Sequence, residues 1–146
     1  MDPIRLKKIS ESAKIPTYGS DEAAGADLYA CLAETVVIEP GESAWIPTGI
    51  ALELPKGYVG LIYARSSMGV KRGLAPANKV GVIDSDYRGE IRVVLHNHSK
   101  QVQCIEPNER VAQMVITPVI TPGFQEVDDL TDTKRDQQGF GSTGKY

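Results

Sequence analysis

Residues 89–97 read GEIRVVLHN, and this stretch decides the fold class. Its apolar residues Ile91, Val93 and Leu95 recur at every second position, while the positions between them carry arginine, valine and histidine. Side chains of a strand point to alternate faces, so this period predicts a half-buried β-strand with one face toward a core. No segment of the chain shows a sustained 3.6-residue period of helical length.

Further runs of strand character lie on both sides of this stretch. They cover residues 4–9, 35–39, 43–46, 50–54, 58–64, 90–97 and 110–119. The clusters EPGES, LPKGY, EPNER and TPGF combine Pro, Gly or Asn, as turns do. Many short strands at near-regular spacing predict an all-β sandwich or barrel, and residues 66–72 can wind into a short helix.

Length and composition limit the classes of protein. A chain of 146 residues fits one domain, which we place at residues 1–120, followed by a looser tail at 121–146. The net charge of −3 argues against a general nucleic-acid binder, because phosphate backbones favour an excess of Lys and Arg. Cys31 and Cys104 belong to no CxxC pair, which argues against a metal cluster, and a disulfide between them stays open.

Signals for membranes and export are weak. No apolar run approaches the ~20 residues that cross a bilayer, and the start MDPIRLKKIS lacks the apolar segment of a signal peptide. We therefore expect a cytoplasmic protein that binds neither membranes nor nucleic acid.

The tail differs in composition from the preceding chain. VDDLTDTKRDQQ (127–138) is polar, and GFGSTGKY (139–146) is rich in glycine with few aromatic residues. Such a segment is typical of a disordered end. Segments that close over a ligand have the same composition, because they must be mobile before the ligand orders them.

The segment GVIDSDYRGE (81–90) places Asp84 and Asp86 in a turn between apolar runs. An aspartate in a turn commonly bonds only its own backbone. A carboxylate held beside Val82 and Ile83 could instead deprotonate a water molecule, which is general-base catalysis. Both interpretations stay open on this segment alone.

The segment YARSSMGVKRG (63–73) combines arginines and lysine with two adjacent serines. Guanidinium and hydroxyl donors at the start of a helical turn suit an anion. The alternative is a capped helix with a solvated basic face. In the tail, Arg135, Ser142 and Thr143 repeat the combination, and glycines there would let backbone N–H groups approach a phosphate.

His96 and His98 lie two positions apart on the predicted strand and could face one side as metal ligands. No Cys, Asp or Glu accompanies them at zinc-like spacing, so ordinary surface or core histidines are the better interpretation. The zinc-deaminase pattern is also absent from the sequence.

Five segments taken in order resemble the trimeric dUTPase family over nearly the whole chain. They are AGADLYA (24–30), YARSSMG (63–69), NKVGVIDSDYRGE (78–90), NERVAQMVITPV (108–119) and RDQQGFGSTG (135–144). Each segment alone is weak, but their order and spacing together are specific.

The resemblance implies a distorted jelly-roll, or β-clip, subunit of a homotrimer with a mobile C-terminal arm. Each active site would combine segments of all three chains. The implied activity is that of a dUTP diphosphatase, which uses Mg²⁺ and hydrolyses dUTP to dUMP and pyrophosphate. This reaction limits uracil incorporation into DNA and supplies dUMP for dTMP synthesis.

The resemblance also implies roles around the nucleoside. Asp84 aligns with the general base that activates the water attacking the α-phosphorus. Tyr87 aligns with the aromatic ring that packs under the deoxyribose and leaves no room for a 2′-hydroxyl. Asn78 and the backbone of Gly81, Val82 and Ile83 would form a hairpin that binds uracil and excludes thymine and cytosine.

Further positions align with the phosphates and the metal. Arg65, Ser66, Ser67 and Gln113 would contact the phosphates, with Ser66 and Gln113 in the catalytic set. Asp27 would hold the Mg²⁺ hydration shell through water, the metal being bound mainly by the triphosphate. In the arm, Arg135 resembles a phosphate clamp and Phe140 a ring that stacks on uracil, while Gly141, Ser142 and Thr143 would wrap the γ-phosphate.

Four positions depart from the common family pattern. Ser67 and Gln138 stand where glycine is usual, which bears on the local backbone and on flexibility of the arm. Asn108 and Glu109 replace a Gly-Asp pair, a change we expect to affect only the turn that contains them.

Two other functions remain to be weighed. A dCTP deaminase shares the fold, but it needs proton-moving residues where this chain has Val94 and Val70. A non-catalytic jelly-roll module is disfavoured because Asp84, Tyr87 and Phe140 are all present.

Overall fold

The computed structural model of the chain describes residues 1–145, which form twelve strands and one π-helical turn, Ser67–Lys71. The strands are β1 (Arg5–Lys8), β2 (Thr17–Tyr18), β3 (Ala26–Tyr29), β4 (Val36–Ile38), β5 (Ser43–Pro47), β6 (Ile50–Glu53), β7 (Tyr58–Tyr63), β8 (Leu74–Pro76), β9 (Gly81–Ile83), β10 (Arg92–Asn97), β11 (Gln103–Ile105) and β12 (Arg110–Pro118).

The strands pair antiparallel in four small sheets, with the orders β1-β6, β5-β10-β8, β11-β4 and β2-β3-β12-β7-β9. Most neighbours in a sheet are distant in sequence, which is the connectivity of a jelly roll rather than of a meander. The all-β, distorted jelly-roll prediction is therefore confirmed. Within residues 1–145, no helix is long and apolar enough to cross a membrane.

The alternation in β10 builds the core as its sequence predicts. Val93 and Leu95 are buried, as is Ile91 just before the strand, whereas Arg92 on the other face is exposed. Asn97 continues the buried face, and its amide donates to the carbonyls of Ile38 at 2.9 Å and Gln101 at 2.7 Å. A buried amide with such partners avoids the penalty of an unpaired polar group.

Seven of the predicted runs correspond to strands, with ends that differ by one or two residues. Five strands were not predicted: β2, β3, β8, β9 and β11. Each has only two to four residues and is not part of a longer run of strand character. The expected turns at 39–43, 54–58 and 106–110 form, but the expected turn TPGF at 121–124 is wrong. Within the described residues no strand follows this segment, so there is no second strand for a turn to connect.

Strand β12 positions the central part of the largest sheet, because it pairs with β3 on one side and β7 on the other. Its register against β3 shifts between Arg110 and Ala112, which is a β-bulge. The consecutive residues Val111 and Ala112 are both fully buried, as expected where an extra residue interrupts strict alternation.

Beyond β12 the chain leaves the sheets. The amide of Val119 donates to the carbonyl of Gly57 at 2.8 Å, and every side chain from residue 118 to 145 is exposed. Short turns recur in this part, for example where the amide of Gln138 donates to the carbonyl of Arg135 at 3.0 Å.

Candidate active site

Asp27 on β3 lies in a row of facing residues that crosses the largest sheet. It pairs with Gln113 on β12, which pairs in turn with Tyr63 at the end of β7. The carboxylate is nearly buried, and two guanidinium groups contact it. Arg65 Nε donates to Asp27 Oδ1 at 2.7 Å, and Arg110 Nη1 donates to Oδ2 at 3.2 Å. The burial of this charge is thus compensated by two cations.

Arg65 follows directly on β7 and is fixed from two sides. Besides its bond to Asp27, its Nη1 donates to Ser67 Oγ at 3.2 Å. These bonds use two of its three nitrogen atoms and leave the guanidinium on the surface side of a buried carboxylate. Such a group can bind an anion with little reorganisation.

Ser66 is exposed beside Arg65 and precedes the π-helical turn. Its hydroxyl makes no capping bond to the turn, which removes the main support for interpreting this segment as a capped helix. The amides of Met68 and Gly69 instead donate to the Arg65 carbonyl at 3.0 and 2.9 Å. The Ser66 hydroxyl is therefore presented outward.

Gln113 is held by tight packing against Gly25. Its Nε2 donates to the carbonyl of Ala64 at 3.0 Å, one residue before Arg65. A Cβ atom at position 25 would lie 2.5 Å from Gln113 Oε1, so a larger residue than glycine cannot be accommodated without displacing the amide. We refer to Asp27, Arg65, Ser66, Arg110 and Gln113 together as the arginine cluster.

Asp84 lies elsewhere, in a cleft of about 430 Å³ at the end of β9. This surface, which we call the Asp84 cleft, is lined by Trp45, Val82, Ile83, Asp84, Tyr87, Glu90 and Arg92. The Asp84 carboxylate is exposed to solvent, as a group that must reach a water molecule needs to be.

Tyr87 forms one wall of the Asp84 cleft and is about half exposed. Its hydroxyl donates to the carbonyl of Glu90 at 2.9 Å, and its ring lies so close to Gly89 that no Cβ atom fits there. The Glu90 carboxylate accepts from the Gly49 amide at 3.0 Å and from Arg92 Nε at 2.9 Å. These contacts hold the turn and fix the ring.

The segment around Asn78 differs from the hairpin that we expected. Strand β8 pairs with β10 and β9 pairs with β7, so the turn between β8 and β9 connects two different sheets. The expectation of a paired hairpin is therefore wrong. Strand β9 is instead the edge of its sheet, with backbone groups on its outer side that a ligand can pair with. Asn78 is exposed in the turn, next to Lys79 with φ 67°.

The arginine cluster and the Asp84 cleft lie at opposite ends of β7. Ile83, the residue before Asp84, pairs with Gly60, whereas Arg65 follows the other end of the strand. Five residues of extended chain span roughly 17 Å. The predicted site residues therefore form two separate groups within one chain.

The arm residues Arg135, Phe140, Gly141, Ser142 and Thr143 are exposed and belong to neither group. Their backbone contacts are local, as in the bond from the Ser142 amide to the Gly139 carbonyl at 3.1 Å. Phe140 and Gly141 both have positive φ angles, 51° and 87°. Glycine adopts such angles without steric cost, which is consistent with the glycine-rich sequence of this segment.

The two histidines form a contact of their own. Their rings are 4.5 Å apart in an edge-to-face arrangement, and His96 Nδ1 shares a hydrogen bond with Ser43 Oγ at 2.8 Å. The pKa of His98 is lowered by desolvation of its ring and by the charges of Lys79 and His96. Across residues 1–145, no group of three or more His, Cys, Asp or Glu side chains could hold a metal ion.

Sequence reasoning missed Arg110 in the arginine cluster and Trp45, Glu90 and Arg92 in the Asp84 cleft. Glu109 was expected to affect only its own turn, and this is wrong, because its carboxylate pairs with Arg72. The signal for Arg110 was available: the apolar pair Val111 and Ala112 breaks the alternation just before Gln113. Two consecutive apolar residues in a strand indicate a β-bulge, and a bulge at this point changes the face to which Arg110 points.

Comparison with known proteins gives concordant matches over most of the chain. The dUTPase family model matches residues 11–144. The deoxyuridine 5′-triphosphate nucleotidohydrolase of Nautilia profundicola is 48% identical over 142 residues, covering 97% of this chain and 99% of the relative. The enzyme of the same name from Hahella chejuensis is 46% identical over 139 residues, covering 94% and 91%.

Solved structures agree with this. A variant of the Staphylococcus bacteriophage 80alpha dUTPase with dUpNHpp matches with a TM-score of 0.89 and 31% identity, covering 99% of each chain. A variant of the dUTPase from phage phi11 of S. aureus, a structure concerned with coordination of a structural Mg(II) ion, matches with a TM-score of 0.81. Its identity is 28%, covering 90% of this chain and 100% of that one.

The packing of Gly25 against Gln113 can be tested by stability. Gly25→Ala should lower the free energy of unfolding by about 1–3 kcal/mol, because the new methyl group collides with the Gln113 amide. The matched control is Gly19→Ala, where no heavy atom lies within 4 Å of the added Cβ. Urea unfolding measures both variants, and equal stability would contradict the contact.

Proposed function

The chain belongs to the dUTPase family, and from this premise we propose that it hydrolyses dUTP to dUMP and pyrophosphate. The observation that carries the proposal is the Asp84 cleft, in which an exposed carboxylate stands beside the fixed ring of Tyr87 and the open edge of β9. In a cell this reaction would limit uracil incorporation into DNA and supply dUMP for dTMP synthesis.

Asp84 would act as the general base. Its carboxylate would accept a proton from a water molecule while the water oxygen attacks the α-phosphorus. The bond from the α-phosphorus to the bridging oxygen then breaks, and pyrophosphate leaves with the electron pair. The solvent exposure of Asp84 supports this role, since the water must reach it.

Selection of the nucleoside would rest on the same cleft. The outer backbone edge at Gly81, Val82 and Ile83, with Asn78 in the adjoining turn, could pair with uracil much as another base does. A close fit there would exclude the thymine methyl group, and the order of donors and acceptors would reject cytosine. The fixed ring of Tyr87 would pack under the deoxyribose and exclude a 2′-hydroxyl.

The arginine cluster would bind the phosphates. Arg65 and Gln113 are already oriented by protein contacts, so binding an anion costs little further ordering. The outward hydroxyl of Ser66 would face the bridging oxygen, where negative charge develops as pyrophosphate departs. Ser67, bonded to Arg65, would contact the phosphates beside it.

Mg²⁺ fits this arrangement as an ion held by the substrate. Each Asp27 oxygen accepts one guanidinium hydrogen bond, and a carboxylate oxygen has a second lone pair that can accept from a metal-bound water. Asp27 would thus orient the hydration shell, while the triphosphate oxygens bind the ion. When bound, Mg²⁺ supplies positive charge that neutralises the triphosphate.

The active unit would be a homotrimer with shared sites. Within one chain the arginine cluster and Asp84 are roughly 17 Å apart along β7, too far to act on one phosphorus atom. Assembly around a threefold axis would bring the arginine cluster of one subunit to the Asp84 cleft of the next.

The arm, residues 121–146, would close over a site formed by the cores, residues 1–120, of other subunits. Residues 121–145 are exposed, and the backbone hydrogen bonds among them are local, which supports an arm that can move relative to the core. Phe140 would stack on uracil and Arg135 would bind phosphate. Gly141, Ser142 and Thr143 would wrap the γ-phosphate with their backbone N–H groups.

Deamination of dCTP is not favoured by the structure. The position that should carry a proton-moving residue on β10 is Val94, which pairs with Trp45 on β5. The other such position, Val70, is an exposed valine in the π-helical turn. Neither side chain can donate or accept a proton.

The base assignment leads to a direct prediction. Asp84→Asn should lower kcat for dUTP by roughly 10²–10⁴-fold, because an amide cannot take the proton, while the affinity for dUpNHpp stays near that of the parent. The matched control is Asp86→Asn, which removes an exposed carboxylate two positions away and should retain the parent rate. Pyrophosphate release measures turnover and calorimetry measures binding. Parent-like turnover of Asp84→Asn would refute the assignment.

The role of the arm gives a second prediction. Deletion of residues 135–146 should lower kcat/KM for dUTP by roughly two orders of magnitude, because positioned phosphate contacts are lost. The melting temperature and the number of subunits in the oligomer should stay unchanged, since residues 135–145 are exposed. Light scattering and pyrophosphate release test this, and full activity without the arm would exclude a closing role.

A further inference from the structure

The β-bulge in β12 changes the face to which Arg110 points. Arg110 lies three positions before Gln113, so strict alternation would place the two side chains on opposite faces. The register shift removes this difference: Gln113 faces Asp27 and Arg110 faces Tyr29, which lie two apart on β3 and share one face. The bulge thus directs Arg110 into the arginine cluster.

The segment before the bulge is held firmly. The Ala30 amide donates to the Glu109 carbonyl at 2.8 Å, and the Asn108 amide donates to the Ala30 carbonyl at 2.9 Å. The Glu109 carboxylate pairs with Arg72, whose guanidinium also donates to the carbonyl of Cys104. The direction of Arg110 is therefore set by a rigid turn and not by its side chain alone.

Arg110 and Arg65 share the carboxylate of Asp27, one on each oxygen. Their exposures differ: the Arg65 side chain is 21% exposed and that of Arg110 is 50% exposed. If Arg110 were absent, Asp27 Oδ2 would lose its partner, and the carboxylate could rotate to bind Arg65 through both oxygens. Bidentate pairing of this kind is strong and would draw the guanidinium away from a substrate phosphate.

We infer that Arg110 is a positioning residue, which holds the Asp27 carboxylate so that Arg65 is aimed at the nucleotide phosphates. This inference rests on the proposed function and adds a residue to it. Arg110 acts on Arg65 through Asp27. The bulge in β12 places Arg110 where it can donate to the Asp27 carboxylate. Direct contact of Arg110 with a phosphate is the competing role.

The test is a double-mutant cycle on the full-length protein, with pyrophosphate release from dUTP as the readout. Arg110→Ala should lower kcat/KM by about 10–100-fold, and Arg110→Lys, which keeps a charge near Oδ2, should restore most of it. In an Arg65→Ala background, Arg110→Ala should have almost no further effect, because the residue it positions is gone. If the fold losses of Arg65→Ala and Arg110→Ala multiply in the double variant, the two residues act independently. That result would assign Arg110 a direct phosphate contact and overturn the inference.

A matched control separates positioning from general loss of charge or stability. Arg5→Ala also removes one arginine of a surface ion pair, with Glu53, and should leave kcat/KM at the parent value. Arg110→Ala should remain folded with a melting temperature lowered by about 3–10 °C, because the nearly buried Asp27 carboxylate loses one of its two cations but keeps Arg65. Circular dichroism at the assay temperature checks that a loss of activity is not a loss of structure. An Arg110→Ala variant as active as Arg5→Ala would overturn the inference.

A spectroscopic readout keeps this test independent of turnover. The Nε–H signal of Arg65 in a ¹⁵N–¹H spectrum reports its bond to Asp27. Arg110→Ala should shift this signal and Arg5→Ala should not, and an unchanged signal would overturn the inference whatever the activity. A parent protein that releases no pyrophosphate from dUTP would refute the proposed function instead.

Discussion

The pairing of β7 with β9 is the constraint on which the site depends. It fixes Ile83 opposite Gly60, and therefore keeps Asp84 at one end of β7 while Arg65 follows the other end. Both groups would have to contact one triphosphate, and a backbone spacing of roughly 17 Å along β7 is too large for that within a single chain. A chain folded in this way has two groups of candidate site residues, and the proposed catalysis would require that different subunits supply them.

A single nearly buried carboxylate organises the arginine cluster, which we propose binds the phosphates. Asp27 carries one guanidinium on each oxygen, and the packing of Gly25 against Gln113 fixes the neighbouring amide. Removing either arginine would leave the buried charge of Asp27 partly uncompensated. Asp27, Arg65 and Arg110 therefore stabilise one another. Positive charge is thus ordered before substrate arrives, which is what electrostatic stabilisation of a departing pyrophosphate requires.

The sequence predicted what periodicity can encode. The alternation in β10 revealed a strand and its buried face, and the spacing of Gly, Pro and Asn revealed most turns. Five short strands escaped, because they lie outside the longer apolar runs and their pairing is decided by distant partners. Asp84 and Asp86 were equivalent as turn carboxylates, and only the family resemblance separated them. Arg110 escaped although the apolar pair Val111 and Ala112 indicates a bulge, because only the register against β3 shows that the bulge brings Arg110 to Asp27.

The central claim, that Asp84 and Arg65 of one site come from different chains, is tested most directly by subunit complementation. Asp84→Asn and Arg65→Ala chains, each nearly inactive alone, would be co-expressed with different affinity tags and isolated as mixed trimers. If one chain supplies Asp84 and a neighbouring chain supplies Arg65, each mixed trimer contains one intact site among its three, and pyrophosphate release from dUTP returns to about a third of the parent rate. If both residues act within one chain, no mixed trimer contains an intact site, and activity would stay at the level of the two variants.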